Sequence, residues 1–159
     1  VASRGLGDVY KRQGKQCSRV EGSGTLLWEE PLVWAFAADH PLPAQAPLPL
    51  AVFPEPCVYR ESAVTALGQT DRTWRIVFES SSMAGCLSAA RAGFAATVIA
   101  DSQRGEGLRV LGGEDGLPEL PAARFYAFAG KDSPASTALI EAARRAGQSR
   151  FTPRGLRDR

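Results

Sequence analysis

Trp74-Arg75-Ile76-Val77-Phe78-Glu79 runs into Ser80-Ser81-Ser82, and then Met83, Cys86, Leu87 and Ala90 recur at spacings of three or four. The first six residues alternate apolar with polar, Trp74, Ile76 and Phe78 sharing one side, which is the period of a strand. The later spacing is that of a helix, and Gly93 is placed to end it. A serine at the junction is expected to cap this helix, because its side-chain oxygen accepts from a backbone N–H that the first turn leaves unpaired. Ala95-Ala96-Thr97-Val98-Ile99-Ala100 then forms a second strand. Strand, helix and strand in succession predict an α/β sandwich built on a parallel sheet.

Outward from this unit the pattern continues in both directions. Toward the N-terminus, Cys57-Val58-Tyr59 reads as a strand, followed by a helix with Ala63, Val64, Ala66 and Leu67 on its apolar face and Gly68 as its stop. Pro43, Pro47, Pro49, Pro54 and Pro56 keep the preceding segment extended and prevent it from being a central strand throughout. Leu32-Val33-Trp34-Ala35-Phe36-Ala37 reads as a mostly buried strand, and Thr25-Leu26-Leu27-Trp28 as a short one, with Glu29-Glu30-Pro31 between them. Toward the C-terminus, Leu108–Leu111 and Arg124–Phe128 are strands. Ser133-Pro134 starts a helix whose Ala135, Ala138, Leu139 and Ala142 are expected to face inward and which Gly147 ends. Residues 1–23 lack any sustained period and read as a disordered or non-native leader; Leu6–Gln13 also resembles a translated sequencing adapter. Residues 148–159 read as a basic tail.

The totals exclude several classes. With 44% hydrophobic and 23% charged residues and a net charge of +2, the chain has the make-up of an ordinary globular domain, without the basic surplus of a nucleic-acid binder. Its longest apolar run, Leu32 to Ala38, is strand length and far short of a membrane span. Cys17, Cys57 and Cys86 are odd in number and widely spaced, which fits reduced thiols in a cytoplasm and neither a disulfide framework nor a zinc site. No secretory signal is visible, no metal site stands out, and no cofactor is implied.

Several segments, taken in order, resemble the effector-binding domain of LysR-type transcription regulators. They are Glu30-Pro31-Leu32-Val33-Trp34, Asp39-His40-Pro41-Leu42, Cys57-Val58-Tyr59-Arg60, Trp74 to Ser80, Ala92-Gly93-Phe94-Ala95-Ala96-Thr97-Val98, Leu108–Leu111 and Gly116-Leu117-Pro118. The resemblance covers residues 24–147 and rests on order and spacing. It implies a periplasmic-binding-protein-like type II fold of two α/β lobes, with the second lobe complete at 51–120 and the first only partial, in its trailing pieces 24–48 and 121–147. It implies a small-molecule effector bound in a cleft between lobes, a homo-oligomer in the full protein, and DNA contact only through a helix-turn-helix that this chain lacks. Two positions depart from the family pattern: Phe94 and Ala95 replace the usual Leu-Gly after Gly93, and Ala100 stands where a proline is usual.

The candidate ligand contacts are Ser80, Ser81 and Ser82, at a strand-to-helix junction where free N–H groups and a positive dipole end suit a carboxylate. The plainer alternative is one capping serine and two solvated ones. Arg60 and Cys57 stand at the preceding junction. Arg60 offers a forked guanidinium to a carboxylate, or pairs internally, for example with Glu79; Cys57 is otherwise a small buried residue. Thr97 could present its hydroxyl, although strand threonines are usually structural. No catalytic residue is assigned. Ser80, His40 and Asp39 can be written as a triad, but no nucleophile elbow supports a Ser/Cys hydrolase. Gly112–Gly116 lacks the Lys and Ser/Thr of a phosphate loop. The other rival is an extracytoplasmic solute-binding protein of the same fold.

Overall fold

The computed structural model describes residues 15–16, 24–42, 46–129 and 133–151. In chain order the elements are β1 (Lys15–Gln16), β2 (Thr25–Glu30), β3 (Leu32–Ala37), β4 (Leu48–Val52), α1 (Val58–Leu67), β5 (Trp74–Glu79), α2 (Met83–Arg91), β6 (Thr97–Ala100), β7 (Leu108–Leu111), β8 (Ala123–Ala127) and α3 (Pro134–Phe151). The described residues divide into two compact units, one within 1–30 and 123–159 and the other within 31–122. Most of the segment read as a leader, together with Pro43 and the tail past Phe151, lies outside the described residues.

The second unit is built around β3. Leu32, Trp34, Ala35, Phe36 and Ala37 are all buried, so the strand has no solvent face, as its unbroken apolar run anticipates. It lies between β6 and β7 and is antiparallel to both, pairing Trp34 with Val98 on one side and with Leu111 on the other. The indole Nε1 of Trp34 donates to the Pro118 carbonyl at 2.8 Å, which satisfies the one polar atom this side chain carries inward.

The parallel sheet expected from the alternation exists only where a helix links two strands. β4 and β5, joined by α1, are parallel. After α2 the chain returns parallel to β4 at the single bridge Leu50–Ala96, held by Ala51 N–H to Ala96 O and Ala96 N–H to Pro49 O, both 2.8 Å. β3 meets β6 and β7, neither of them its neighbour in sequence, and there the direction reverses.

Two sequence assignments are corrected here. The proline-rich stretch hides a true strand: Leu48, Leu50, Ala51 and Val52 are buried, and Pro49 contributes its carbonyl where the contact with Ala96 begins, so its missing N–H breaks no ladder. Cys57-Val58-Tyr59 is not a strand. Cys57 is the extended residue before α1, and Val58 and Tyr59 form its first turn, with burial of Tyr59 overriding local β preference.

β5 also departs from simple alternation. Leu50 pairs with Ile76 but Ala51 with Phe78, so Val77 is an extra residue that bulges the strand. Val77 and Phe78 consequently both pack on the cluster of Ala51, Cys86 and Ala95, while Ile76 is left exposed. α2 ends as its glycine indicates. Gly93 has φ +67°, and the bonds Gly93 N–H to Ala90 O and Phe94 N–H to Ala89 O, each 3.0 Å, form a Schellman closure.

In the first unit β8 lies between β1 and β2, antiparallel to both. Trp28 stacks on Phe125 opposite it, centroids 4.7 Å apart, and Glu29 pairs with Arg124 at 2.7 Å. α3 packs on β2, but with a different face from the one expected. Ala135, Ala138, Leu139 and Ala142 are exposed, whereas Ser136, Ile140, Ala143 and Gly147 lie on the shielded side. Gly147 does not end the helix. It is buried mid-helix because a Cβ there would collide with the Trp28 ring, so the missing side chain brings helix and sheet together.

Gly147→Ala should therefore reverse the usual sign. In an open helix this change stabilises by about 0.5–1 kcal/mol; here overpacking should cost about 1–3 kcal/mol, read from urea unfolding, with Leu139→Gln on the outer face staying within about 0.5 kcal/mol of the parent.

Asp115 gives a pH test in the second unit. Burial pushes its carboxyl up, but bonds from Arg109 Nη1 (2.9 Å) and Gly112 N–H (3.1 Å), with the charges of Arg109 and Arg72, outweigh that and hold it below the ordinary value. A depressed carboxyl stabilises the fold above its unfolded pKa of about 4, and that contribution disappears as pH falls through the lower folded value. Asp115→Asn should lower the unfolding midpoint at pH 7 and approach the parent at pH 2–3.

Candidate functional site

β4 and β5 end side by side, with Val52 opposite Glu79, and each is followed by a helix, β4 after the loop 53–57 and β5 after Ser80–Ser82. The starts of α1 and α2 thus meet at the carboxyl edge of the parallel pair, the place where α/β sheets gather ligands. Ser80 N–H donates to Val52 O at 3.0 Å and ties the two exits together.

Neither helix start is closed by the side chain of its cap residue. Cys57 precedes α1 and Ser82 precedes α2, both extended, and neither side chain takes a helical N–H. The serine expected to cap α2 works one step earlier: Ser80 Oγ accepts from Ser82 N–H at 3.1 Å. Gly85 permits this, because a Cβ there would meet the Ser80 hydroxyl. Ser81 and Ser82 remain exposed. The first-turn N–H groups of the two helices therefore receive no bond from a cap side chain, although Glu61 places a carboxylate in the first turn of α1.

Arg60, in the first turn of α1, is committed to the protein. Its Nη1 donates to Phe53 O at 3.1 Å and to Glu79 Oε2 at 2.7 Å, and its Nε lies 3.3 Å from Glu55 Oε1. It fastens the 53–57 loop to the end of β5. Glu55 and the Phe53 carbonyl are parts of this site that sequence pattern does not disclose, since nothing local marks which acceptors a long side chain across the fold will reach.

Cys57 and Thr97 separate from the serines in environment. Thr97 is 2% exposed and its hydroxyl is bonded to the Cys86 thiol. Burial pushes the Cys86 thiol up, more than the Thr97 bond lowers it, and the charge of Cys57 adds to the rise. A hollow lined by Trp34, Phe53, Tyr59, Arg60 and Thr97 lies between the sheet and α1; its volume of about 10 Å³ is on the order of one water. This space alone does not house an effector.

Ser80, His40 and Asp39 do not form a triad. His40 Nδ1 bonds to Asp39 at 2.8 Å, and its ring lies over Gly93, beyond the end of α2. Ser80 stands before the start of the same helix, which is nine residues and so about 13 Å long. The His40 ring lowers the Asp39 pKa, chiefly through their hydrogen bond.

With this geometry in place, comparison with known proteins identifies the family. The model of the LysR substrate binding domain matches residues 16–148. The chain belongs to that family. A LysR substrate-binding domain has the periplasmic-binding-protein-like type II fold, and the α/β units described above are its parts. The chain is similar to the HTH-type transcriptional regulator PecT of Dickeya dadantii (strain 3937), 34% identical over 101 residues, covering 64% of this chain and 32% of PecT. It is also similar to the HTH-type transcriptional regulator DgdR of Burkholderia cepacia, 31% identical over 97 residues, covering 61% of this chain and 33% of DgdR. The chain thus spans about one third of the length of these curated relatives. Among solved structures, the bromide-bound regulatory domain of HypT from Salmonella typhimurium superposes with a TM-score of 0.62 at 17% identity, covering 80% of this chain and 65% of that domain. Both curated relatives are regulators of transcription, and no described helix is long and apolar enough to cross a membrane.

The two cysteines among the described residues, Cys57 and Cys86, should be separable by alkylation. Cys86 is fully buried with a raised pKa and Cys57 is partly exposed, so iodoacetamide at pH 8 should label Cys57 at least about tenfold faster in peptide mass spectrometry.

Proposed function

We propose that this chain is the effector-sensing part of a LysR-type transcription regulator and that it takes an anionic small molecule at the edge formed by the starts of α1 and α2. The observation that carries the reading is the convergence of two helix N-termini, neither closed by its cap side chain, on the aligned ends of β4 and β5. Such a convergence favours a negative group through oriented N–H donors and aligned dipoles. Ser81 and Ser82, both exposed, add hydroxyls to the same edge; Ser80 and Cys57 are half-buried and Thr97 is buried. The bromide ion in the HypT domain is an anion held by a protein of the same fold. The unit of residues 31–122 corresponds in this reading to the second lobe of the domain, and residues 24–30 with 123–148 to part of the first.

DNA contact belongs to other parts of the longer protein, as the HTH-type relatives imply, and the working form is a homo-oligomer inside the cell. The effector acts by population shift: it binds one conformation of the regulator better than another, and that difference sets how the DNA-binding part is held.

The test uses the complete gene product. It should retard its own upstream DNA in a gel, and metabolite extract should change the half-maximal protein concentration. Ser82→Asp should keep the DNA complex and abolish the response, because a carboxylate there both caps α2 and repels an anion. A product that begins with a signal peptide, ignores DNA and is recovered outside the cytoplasm would instead be a solute-binding protein.

A further inference from the structure

Arg60 uses its guanidinium unevenly. Two of its three contacts fall on one nitrogen: Nη1 serves both the Phe53 carbonyl at 3.1 Å and Glu79 at 2.7 Å. The Nε–Nη2 edge, a natural fork for a planar carboxylate, is half used. Nε lies at an ion-pair distance of 3.3 Å from one oxygen of Glu55, and among the described residues the hydrogen bonds of the guanidinium both leave from Nη1. Glu55 is 76% exposed, while the Arg60 side chain is only 18% exposed, so the cation is fixed and the acid beside it is loosely held.

We propose that Glu55 is a built-in competitor for a carboxylate ligand, and that an effector of this class binds by displacing Glu55 from the Nε–Nη2 fork of Arg60. This deepens the anionic-effector reading and rests on it for the biological role, though not for the binding event. The exchange is asymmetric. Breaking an exposed, one-point ion pair costs little, whereas the incoming carboxylate gains two parallel charge-assisted bonds from a side chain already locked by Phe53 and Glu79. The Glu79 contact is short and stays. Glu55, once released, frees the 53–57 loop that leads into α1, so occupancy of the fork is transmitted to the backbone next to the helix start.

The first probes are benzoate, its uncharged counterpart benzamide, and sulfate, each titrated into the present chain while the Arg60 side-chain Nε–H resonance is followed by NMR. Benzoate should shift that resonance saturably, with a dissociation constant in the millimolar range or below, and benzamide should not. Glu55→Gln should tighten benzoate about threefold to fivefold, since only the competitor is removed. Arg60→Lys should weaken it tenfold or more, because a point charge cannot fork. Glu55 is at the surface, so its variant keeps the fold and keeps the test decisive even if Arg60→Lys does not fold.

An unmoved Arg60 resonance, or a benzoate affinity unchanged in Glu55→Gln, overturns the proposal. Sulfate binding as tightly as benzoate overturns the carboxylate class. If benzoate fails while the complete gene product still alters its DNA complex with another ligand, only this inference falls. If the fork binds benzoate but the complete product ignores DNA, the regulator reading falls and the fork stands.

Discussion

The second unit depends on excluding water from both faces of β3. Five of its six residues are buried, and Trp34 and Phe36 are among the largest side chains with almost no exposure. A strand this apolar requires a cover on each face and a partner on each edge, and the chain supplies β6 and β7 at the edges. The Trp34 bond to Pro118 draws the loop before β8 inward as part of that cover. Each large residue so buried contributes about 1.5–3 kcal/mol relative to exposure. With this frame rigid, β4 and β5 are held in register, and their ends carry the two helix starts at a defined place.

Much of this was legible in the sequence. The period of β5 and α2, the run of β3 and the stop at Gly93 each reflect a local rule, and local rules survive into the fold. What was not legible had non-local causes. β4 lies inside a proline-rich stretch, and only its partners reveal that Pro49 needs no N–H. Strand direction depends on which strands meet, which apolar periodicity does not encode, and most of the strand pairs proved antiparallel. α3 illustrates the limit in another way. Its alanines and Leu139 make the more apolar stripe, yet the shielded face is the one carrying Gly147, because close approach to Trp28 matters more there than side-chain hydrophobicity.

The site divides in the same manner. That serines at a strand-to-helix junction and an arginine at the preceding one would stand at one edge followed from position together with the family resemblance. The bonding among them was not. Ser80 serves the backbone of Ser82, Thr97 serves Cys86 in the interior, and Arg60 is placed by Glu79, nineteen residues away, and by a carbonyl seven residues back. Each of these depends on which element packs beside which, information that enters only with the third dimension.

The extra residue in β5 has a consequence for comparing this chain with its kin. Val77 has no partner of its own in β4, so the irregularity of register lies within a strand and not in a loop. A homologue without it would show strictly alternating faces through this strand, and a correct superposition would place the one-residue gap at position 77, in the middle of what looks like conserved secondary structure. An alignment that pushed the gap outward to the serines would shift every position of the α2 start by one and match each serine to the wrong neighbour.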